Sequence, residues 1–199
     1  MTKKKLILLI AALLVADQAV KLIVKSTMAL DQSITIFPNW FFIRFIENPG
    51  AAFGLALGGD GGKLILSLFR IIAVCVLGWY LSKLLKKNAP TGVIVGFALI
   101  TAGAAGNIFD SMFYGLIFSE STFYQAATLF PAGGGYAGFL HGKVVDMLYF
   151  PIWSGHYPMW FPRWDGEPFT FFSPIFNMAD SYITIGVIYL LLFHRKFFK

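Results

Sequence analysis

The sequence predicts an all-α membrane protein with four transmembrane helices, a small extracytoplasmic β-rich region and a long outer loop. Three observations carry that prediction. Of the 199 residues, 57% are hydrophobic and only 13% are charged, against roughly 25% charged in soluble domains. The apolar residues arrive in blocks of about 20, the length of helix that a bilayer core requires. Lysine and arginine gather mostly at the ends of these blocks, whereas the acidic residues lie inside them or in two of the connections.

Taken in order, the chain reads as a single integral membrane domain, residues 1–199. The first span covers about residues 6–24 and follows Lys3, Lys4 and Lys5. The same start fits a cleaved leader, but Leu14 suits a small-residue cleavage site before Ala16 poorly, so it is read as a span. The connection 25–63 alternates in part, at Ile34, Ile36 and from Trp40 to Ile46, and ends Gly-rich. That pattern predicts short strands and turns at the membrane surface. A second span, about 64–85, is closed by Lys83, Lys86 and Lys87, and a third covers about 92–112. The long connection 113–173 carries Gly133-Gly134-Gly135 and an aromatic, Pro-rich run that is too interrupted to span. Trp153, Trp160 and Trp164 in that run suit the headgroup region, where amphipathic rings sit. The fourth span, about 174–193, precedes Arg195, Lys196 and Lys199. All four must be helices, because lipid leaves the backbone of a lone strand unsatisfied. The three basic flanks share one side, which the positive-inside rule makes the cytoplasm; both termini are expected there, in a bacterial cytoplasmic (inner) membrane.

Several function classes fall away. The net charge of +6 is not arranged in a stripe, so no nucleic acid is expected as a partner. His141, His156 and His194 are scattered and Cys75 stands alone, so no metal and no cofactor are expected. Ser154-Gly155-His156 lacks any nucleophile-elbow pattern. Arg70, inside the second span, is read as snorkelling or pairing with a helix carboxylate.

What remains are carboxyl groups in costly places. An ionisable side chain in a span costs about 2.5–3.5 kcal/mol on insertion scales, so each calls for a partner or a task. Counted from the cytoplasmic ends at about 1.5 Å per residue, Asp17 lies about 18 Å deep, Asp110 about 27 Å and Asp180 about 22 Å, all in the outer half of the bilayer. Asp146, within the apolar segment Val144-Val145-Asp146-Met147-Leu148-Tyr149, can pack at the same level. Two adjacent carboxyls hold one proton between them and offer a base and an acid together, the requirement for activating water on a peptide carbonyl. Asp17 and Lys21, at i, i+4, share a helix face and fit a salt bridge equally well. On residues alone, four carboxyls compete for two roles.

Five motifs together narrow the choice: Asp17-Gln18-Ala19-Val20-Lys21, Asn48-Pro49-Gly50-Ala51-Ala52-Phe53-Gly54, Gly106-Asn107-Ile108-Phe109-Asp110, Val144-Val145-Asp146 and Phe176-Asn177-Met178-Ala179-Asp180. In this order relative to the spans, the chain resembles the lipoprotein signal peptidase (signal peptidase II) family of membrane aspartate proteases. The resemblance implies that Asp146 and Asp180 are the catalytic pair and that Asn107 and Asn177 orient carboxyls or substrate. It also implies that Asp17, Lys21, Asn48, Gly50 and Asp110 bind substrate or support the site. The implied partners are membrane lipids and prolipoproteins whose cysteine carries diacylglycerol, cut just before that cysteine; a monomer is expected. Two departures stand out. Ser111 occupies the position where the family usually has arginine, leaving Lys143 and Arg70 as substitutes. The stretches on either side of Asp146 are longer than usual and are read as an extra surface flap.

Two other classes use the same residues. A small ion-coupled transporter would bind ions at the aspartates, but the paired repeats and broken helices of that class are missing. A non-enzymatic assembly scaffold would work through the outer connections and would tolerate Asp→Asn changes.

Overall fold

The computed structural model describes residues 1–49, 59–156, 159 and 166–198. Helix α1 runs Lys3–Thr27, and its first turn is capped by the Thr2 hydroxyl, which accepts from Lys5 N at 3.3 Å. Helices α2, Gly59–Lys86, and α3, Thr91–Phe109, follow. The axis of α3 continues through a π-helical turn, Asp110–Tyr114, into a short α4, Gly115–Ile117. The third span expected to stop near residue 112 therefore carries on, because Phe113, Tyr114, Leu116 and Ile117 extend the apolar run. Three helical stretches, Lys3–Thr27, Gly62–Lys86 and Thr91–Ile117, are long and apolar enough to cross a membrane by length and composition. The molecule is a multi-pass helical membrane protein.

Helix α5, Met178–Phe193, is apolar but has 16 residues, about 24 Å of helix. It starts later than the expected 174, and the reason is local. Asn177 accepts from Asp180 N while the Asp180 carboxyl accepts from Asn177 N, a reciprocal capping box that satisfies two helix-end donors and sets the first turn. Residues Ile175–Phe176 ahead of the cap form a strand instead.

The β region is larger than the first connection predicts. Strands β1 (Ser33–Phe37), β2 (Phe41–Asn48), β3 (Val144–Tyr149) and β6 (Ile175–Phe176) make one antiparallel sheet in the order β1-β2-β3-β6, and β4 (Trp153–His156) pairs with β5 (Pro168–Phe171) in a separate hairpin. The long connection is thus only partly loop, since it supplies three of the six strands among the described residues, and β6 lies just beyond it. Its segment around Asp146 is a central strand, with Asp146 opposite Ile46 and Val144 opposite Asn48.

Helix α3 is the hub, with α1, α2 and α5 all packed on it. Without a water-driven hydrophobic force between helices in lipid, close approach at small residues does the joining. A Cβ on Gly96 would run into Leu190, one on Gly186 would stand 2.8 Å from the Gly96 carbonyl oxygen, and one on Gly103 would meet the Ala179 carbonyl and stand 2.7 Å from Ile183 Cγ1. From Gly92 beside His194 to Gly106 beside Ala179, α5 lies antiparallel to α3. Gly103→Ala is therefore expected to force α5 outward at the residue before Asp180. It should lower thermal stability in detergent by about 1–3 kcal/mol. Gly78→Ala is the control: its added methyl meets nothing within 4 Å, and the melting temperature should hold or rise.

Two apolar clusters complete the body. Leu6, Leu81, Leu84, Val93, Ile94, Ala98 and Leu190 close the lysine-rich end. Val24, Met28, Phe45, Tyr114, Phe118, Val145 and Met147 dock the sheet on the other ends of α1 and α3.

Candidate active site

Docking the sheet brings Asp146 on β3 next to the first turn of α5 and the far end of α3. Of the residues expected at the site, Asp17, Lys21, Asn48, Asn107, Asp110, Asp146, Asn177 and Asp180 come together; Gly50 lies outside the described residues.

The innermost layer is ionic. Lys21, fully buried, pairs with Asp17 Oδ2 at 3.0 Å, as its i, i+4 spacing predicts, and with Asp110 Oδ2 at 2.8 Å. Both carboxylates find further donors. Asp17 accepts from Ala179 N at 3.0 Å, and Asp110 from Val145 N at 3.3 Å. Gln18 Nε2 reaches Asp17 Oδ2 at 3.1 Å, Asp110 Oδ1 at 2.8 Å and the Gly106 carbonyl at 3.2 Å. This cluster ties α1 to the start of α5 and α3 to β3. Buried charges persist where partners of opposite sign and hydrogen bonds satisfy them, and here the bonding capacity of Asp17 and Asp110 is committed to the scaffold. Gly106 leaves the room for it: a Cβ there would sit 2.6 Å from Asp17 Oδ2.

The next layer is a pair of amides whose polarity is dictated from below. Lys21 Nζ can only donate, so the atom of Asn107 that it meets at 2.9 Å is Oδ1, and Asn107 Nδ2 then faces Asp180 Oδ1 at 2.7 Å. Asn177 Oδ1 is likewise claimed by Asp180 N at 3.0 Å, which turns its Nδ2 to Asp146 Oδ1 at 2.7 Å and to Asn107 Oδ1 at 3.0 Å. Asp146 and Asp180 are therefore bridged by two amides that present N–H groups to both carboxyls. Asn48 on β2 bonds to Asp146 as well.

The two kinds of carboxyl differ in what they can do. Asp17 and Asp110 are paired with one lysine, whereas among the described residues Asp146 and Asp180 have hydrogen bonds only from neutral donors. Asp146 also lines an open groove of about 360 Å³ with Ile46, Asn48, Pro49, Ser173 and Ile175. Burial and the neighbouring Asp180 charge push the Asp146 carboxyl up to about 7, against the opposing hydrogen bonds from Asn177 and Asn48. Asp146 is thus about half protonated near neutral pH, so it can serve as an acid beside a second carboxyl, the combination that hydrolysis of an amide uses.

Among the described residues no group of three His, Cys, Asp or Glu side chains is placed to hold a metal ion. Ser111 is buried and donates to the Asn107 carbonyl at 3.2 Å. Of the two cations considered as substitutes for an arginine at that position, Lys143 pairs with Glu47 at 3.1 Å and Glu120 at 3.6 Å. Half-buried Arg70 on α2 interacts electrostatically with Asp180, Asp146 and Asp110.

Sequence reasoning assigned no role to Gln18, to Tyr114, whose hydroxyl donates to Gln18 Oε1 at 3.1 Å, or to Lys25. An amide in an apolar span was the available signal for Gln18. Lys25 is completely buried; it pairs with Glu47, donates to Ser121 Oγ at 2.8 Å and lies over the rings of Phe118 and Tyr136. Burial by itself would raise the Glu47 carboxyl, but Lys25 and Lys143 hold it below the ordinary value. The pair anchors β2 one residue before Asn48.

Comparison with known proteins gives one answer. A family model described as signal peptidase (SPase) II matches residues 9–196. A lipoprotein signal peptidase of Porphyromonas gingivalis (strain ATCC 33277) is 53% identical over 189 residues, 94% of this chain and 81% of that protein. One from Amoebophilus asiaticus (strain 5a2) is 37% identical over 184 residues, 91% of this chain and 73% of that protein. A solved bacterial membrane enzyme, determined by the in meso method, is 26% identical with a TM-score of 0.64, over 98% of this chain and 89% of that one.

Proposed function

The chain belongs to the signal peptidase II family, and from that premise we propose that it is an aspartyl endopeptidase of the bacterial inner membrane. It removes signal peptides from diacylglyceryl-modified prolipoproteins just before the lipidated cysteine, with Asp146 and Asp180 as the catalytic pair. One observation carries the reading. Of the four aspartates, Asp17 and Asp110 are taken up by Lys21, while Asp146 and Asp180 share the Asn107–Asn177 bridge and Asp146 faces the groove.

The chemistry follows from that division of labour. The Asp180 carboxylate accepts a proton from a water as the water oxygen attacks the scissile carbonyl carbon, and protonated Asp146 gives its proton to the carbonyl oxygen, leaving a neutral gem-diol. The proton on Asp180 then passes to the peptide nitrogen, Asp146 takes a proton from a gem-diol hydroxyl as the C–N bond breaks, and the pair is left sharing one proton again. Asn107 and Asn177 hold the two carboxyls in register, Lys21 sets the polarity of Asn107, and Asn48 supports Asp146. Gly50, two residues after Asn48 in the chain, is assigned to substrate binding or site support.

The membrane setting is read the same way. Helix α5 is the fourth span, since it accompanies α3 from Gly92 to Gly106; the chain is one integral domain and acts as a monomer. The lysine-rich ends of α1, α2 and α5 face the cytoplasm, and the carboxyl pair lies toward the outer face. A substrate can then keep its acyl chains in the outer leaflet while its peptide crosses the groove.

The test is cleavage of a diacylglyceryl-modified precursor by the purified full chain, beside the same precursor with its cysteine replaced by serine. Only the first is expected to be cut; equal cutting of both would reject the lipid requirement, and cutting of neither would reject the activity. The pH profile has a definite sign. Because Asp146 is raised to about 7, the pair loses its proton as pH passes that value. Cleavage should then fall about tenfold per further pH unit, as loss of one essential proton requires.

A further inference from the structure

A second cavity lies far from the carboxyl pair, at the lysine-rich end of the bundle. Helices α1 and α2 both pack on α3, and between them they leave a cleft of about 660 Å³. Its floor is apolar: Leu6 and Leu81, both buried, belong to the cluster that closes this end. Its wall includes Ile10 and Gly78, and Gly78 faces open space, since an added Cβ would meet no atom within 4 Å. Lys3 and Lys86, both exposed, line the cleft with these apolar residues. No acidic residue occupies the first turn of α1, so the partial positive charge of that helix end adds to Lys3 unopposed.

We infer that this cleft is a binding site for one anionic glycerophospholipid, its phosphate held between Lys3 and Lys86 and an acyl chain lying along Gly78, Leu81 and Ile10. Charge selects the occupant. A lipid of net negative charge is attracted to basic side chains at a membrane surface, and a zwitterionic lipid offers no such net charge. The signal segment of a substrate is an equally apolar rod, but it begins with a positively charged region, which Lys3 and Lys86 repel. The inference rests on the proposed membrane setting and not on the peptidase activity.

Native mass spectrometry of the purified full chain, released from detergent with equal phosphatidylglycerol and phosphatidylcholine, tests it. The unaltered protein should retain one phosphatidylglycerol at least several-fold more often than phosphatidylcholine. The double variant Lys3→Gln, Lys86→Gln should lose that preference. Gly78→Phe should fill the cleft and lose retention of the lipid while the melting temperature holds, because the ring enters open space. Equal retention of the two lipids by the unaltered protein would overturn the proposal, as would phosphatidylglycerol retention unchanged by Gly78→Phe. A third contrary result is loss of binding to a synthetic apolar signal peptide in Gly78→Phe with lipid retention intact, which would make the cleft a peptide groove. Each readout is independent of cleavage, so an inactive preparation would count against the proposed function alone.

Discussion

Asp146→Asn and Asp180→Asn are each expected to lower the rate of precursor cleavage by at least about 10³-fold, the range that loss of a positioned acid or base produces. The size follows from the wiring. Asn107 and Asn177 can support a carboxyl at either position, but an asparagine there can neither take a proton from water nor give one to a carbonyl oxygen. Asp146→Asn also has a stability signature that separates a catalytic role from a structural one. A carboxyl raised to about 7 in the folded state favours folding fully below its unfolded value near 4, and the advantage is lost as pH rises to about 7. An asparagine carries no such loss. At pH 8 the variant should be at least as resistant to thermal unfolding as the unaltered protein, while inactive. An active Asp146→Asn variant would remove it from the catalytic pair, and an inactive one that has also unfolded would make its role structural.

Lys21→Met is expected to be the most destabilising single change in the site. It leaves Asp17 and Asp110 buried without their cation, and breaking a buried pair from one side costs about 3–5 kcal/mol. It also removes the donor that sets the Asn107 amide, so the residual folded fraction should cleave more slowly. Adding Asp110→Asn should recover part of the lost stability, because one uncompensated charge goes with it. Denaturant unfolding in detergent reads all three proteins. A Lys21→Met chain as stable as the original would show that the ionic layer does not hold α1, α3 and β3 together.

Some of this architecture is legible because it is local. Apolar blocks of about 20 residues, basic flanks and i, i+4 spacing are short-range properties, and they placed the first three spans and the Asp17–Lys21 pair. The start of the last helix and the sheet were read less well for a physical reason. The start of α5 depends on a capping box at Asn177, and the strand before it on a partner in β3. β3 is a central strand only because β2 arrives from a hundred residues earlier in the chain; an apolar six-residue run has no period that separates it from a helix. The Lys25–Glu47 pair is invisible for the same reason, since one partner lies at a helix end and the other in a strand.

By itself the sequence determined a multi-pass helical membrane protein and, through five motifs, the family that it resembles, and it set an expected depth for Asp17, Asp110 and Asp180. Depth is a one-dimensional count along each helix and is blind to the direction in which a side chain faces. Which carboxyls are spent on the scaffold and which are left to bridging amides was decided by tertiary contacts between distant residues. Asp17 bonds to Ala179, Lys21 to Asp110, Asn107 to Asp180, and Asn177 to Asp146. The ionic state of a buried carboxyl is set by its nearest few atoms, and here those atoms are assembled only when α1, α3, β3 and α5 meet.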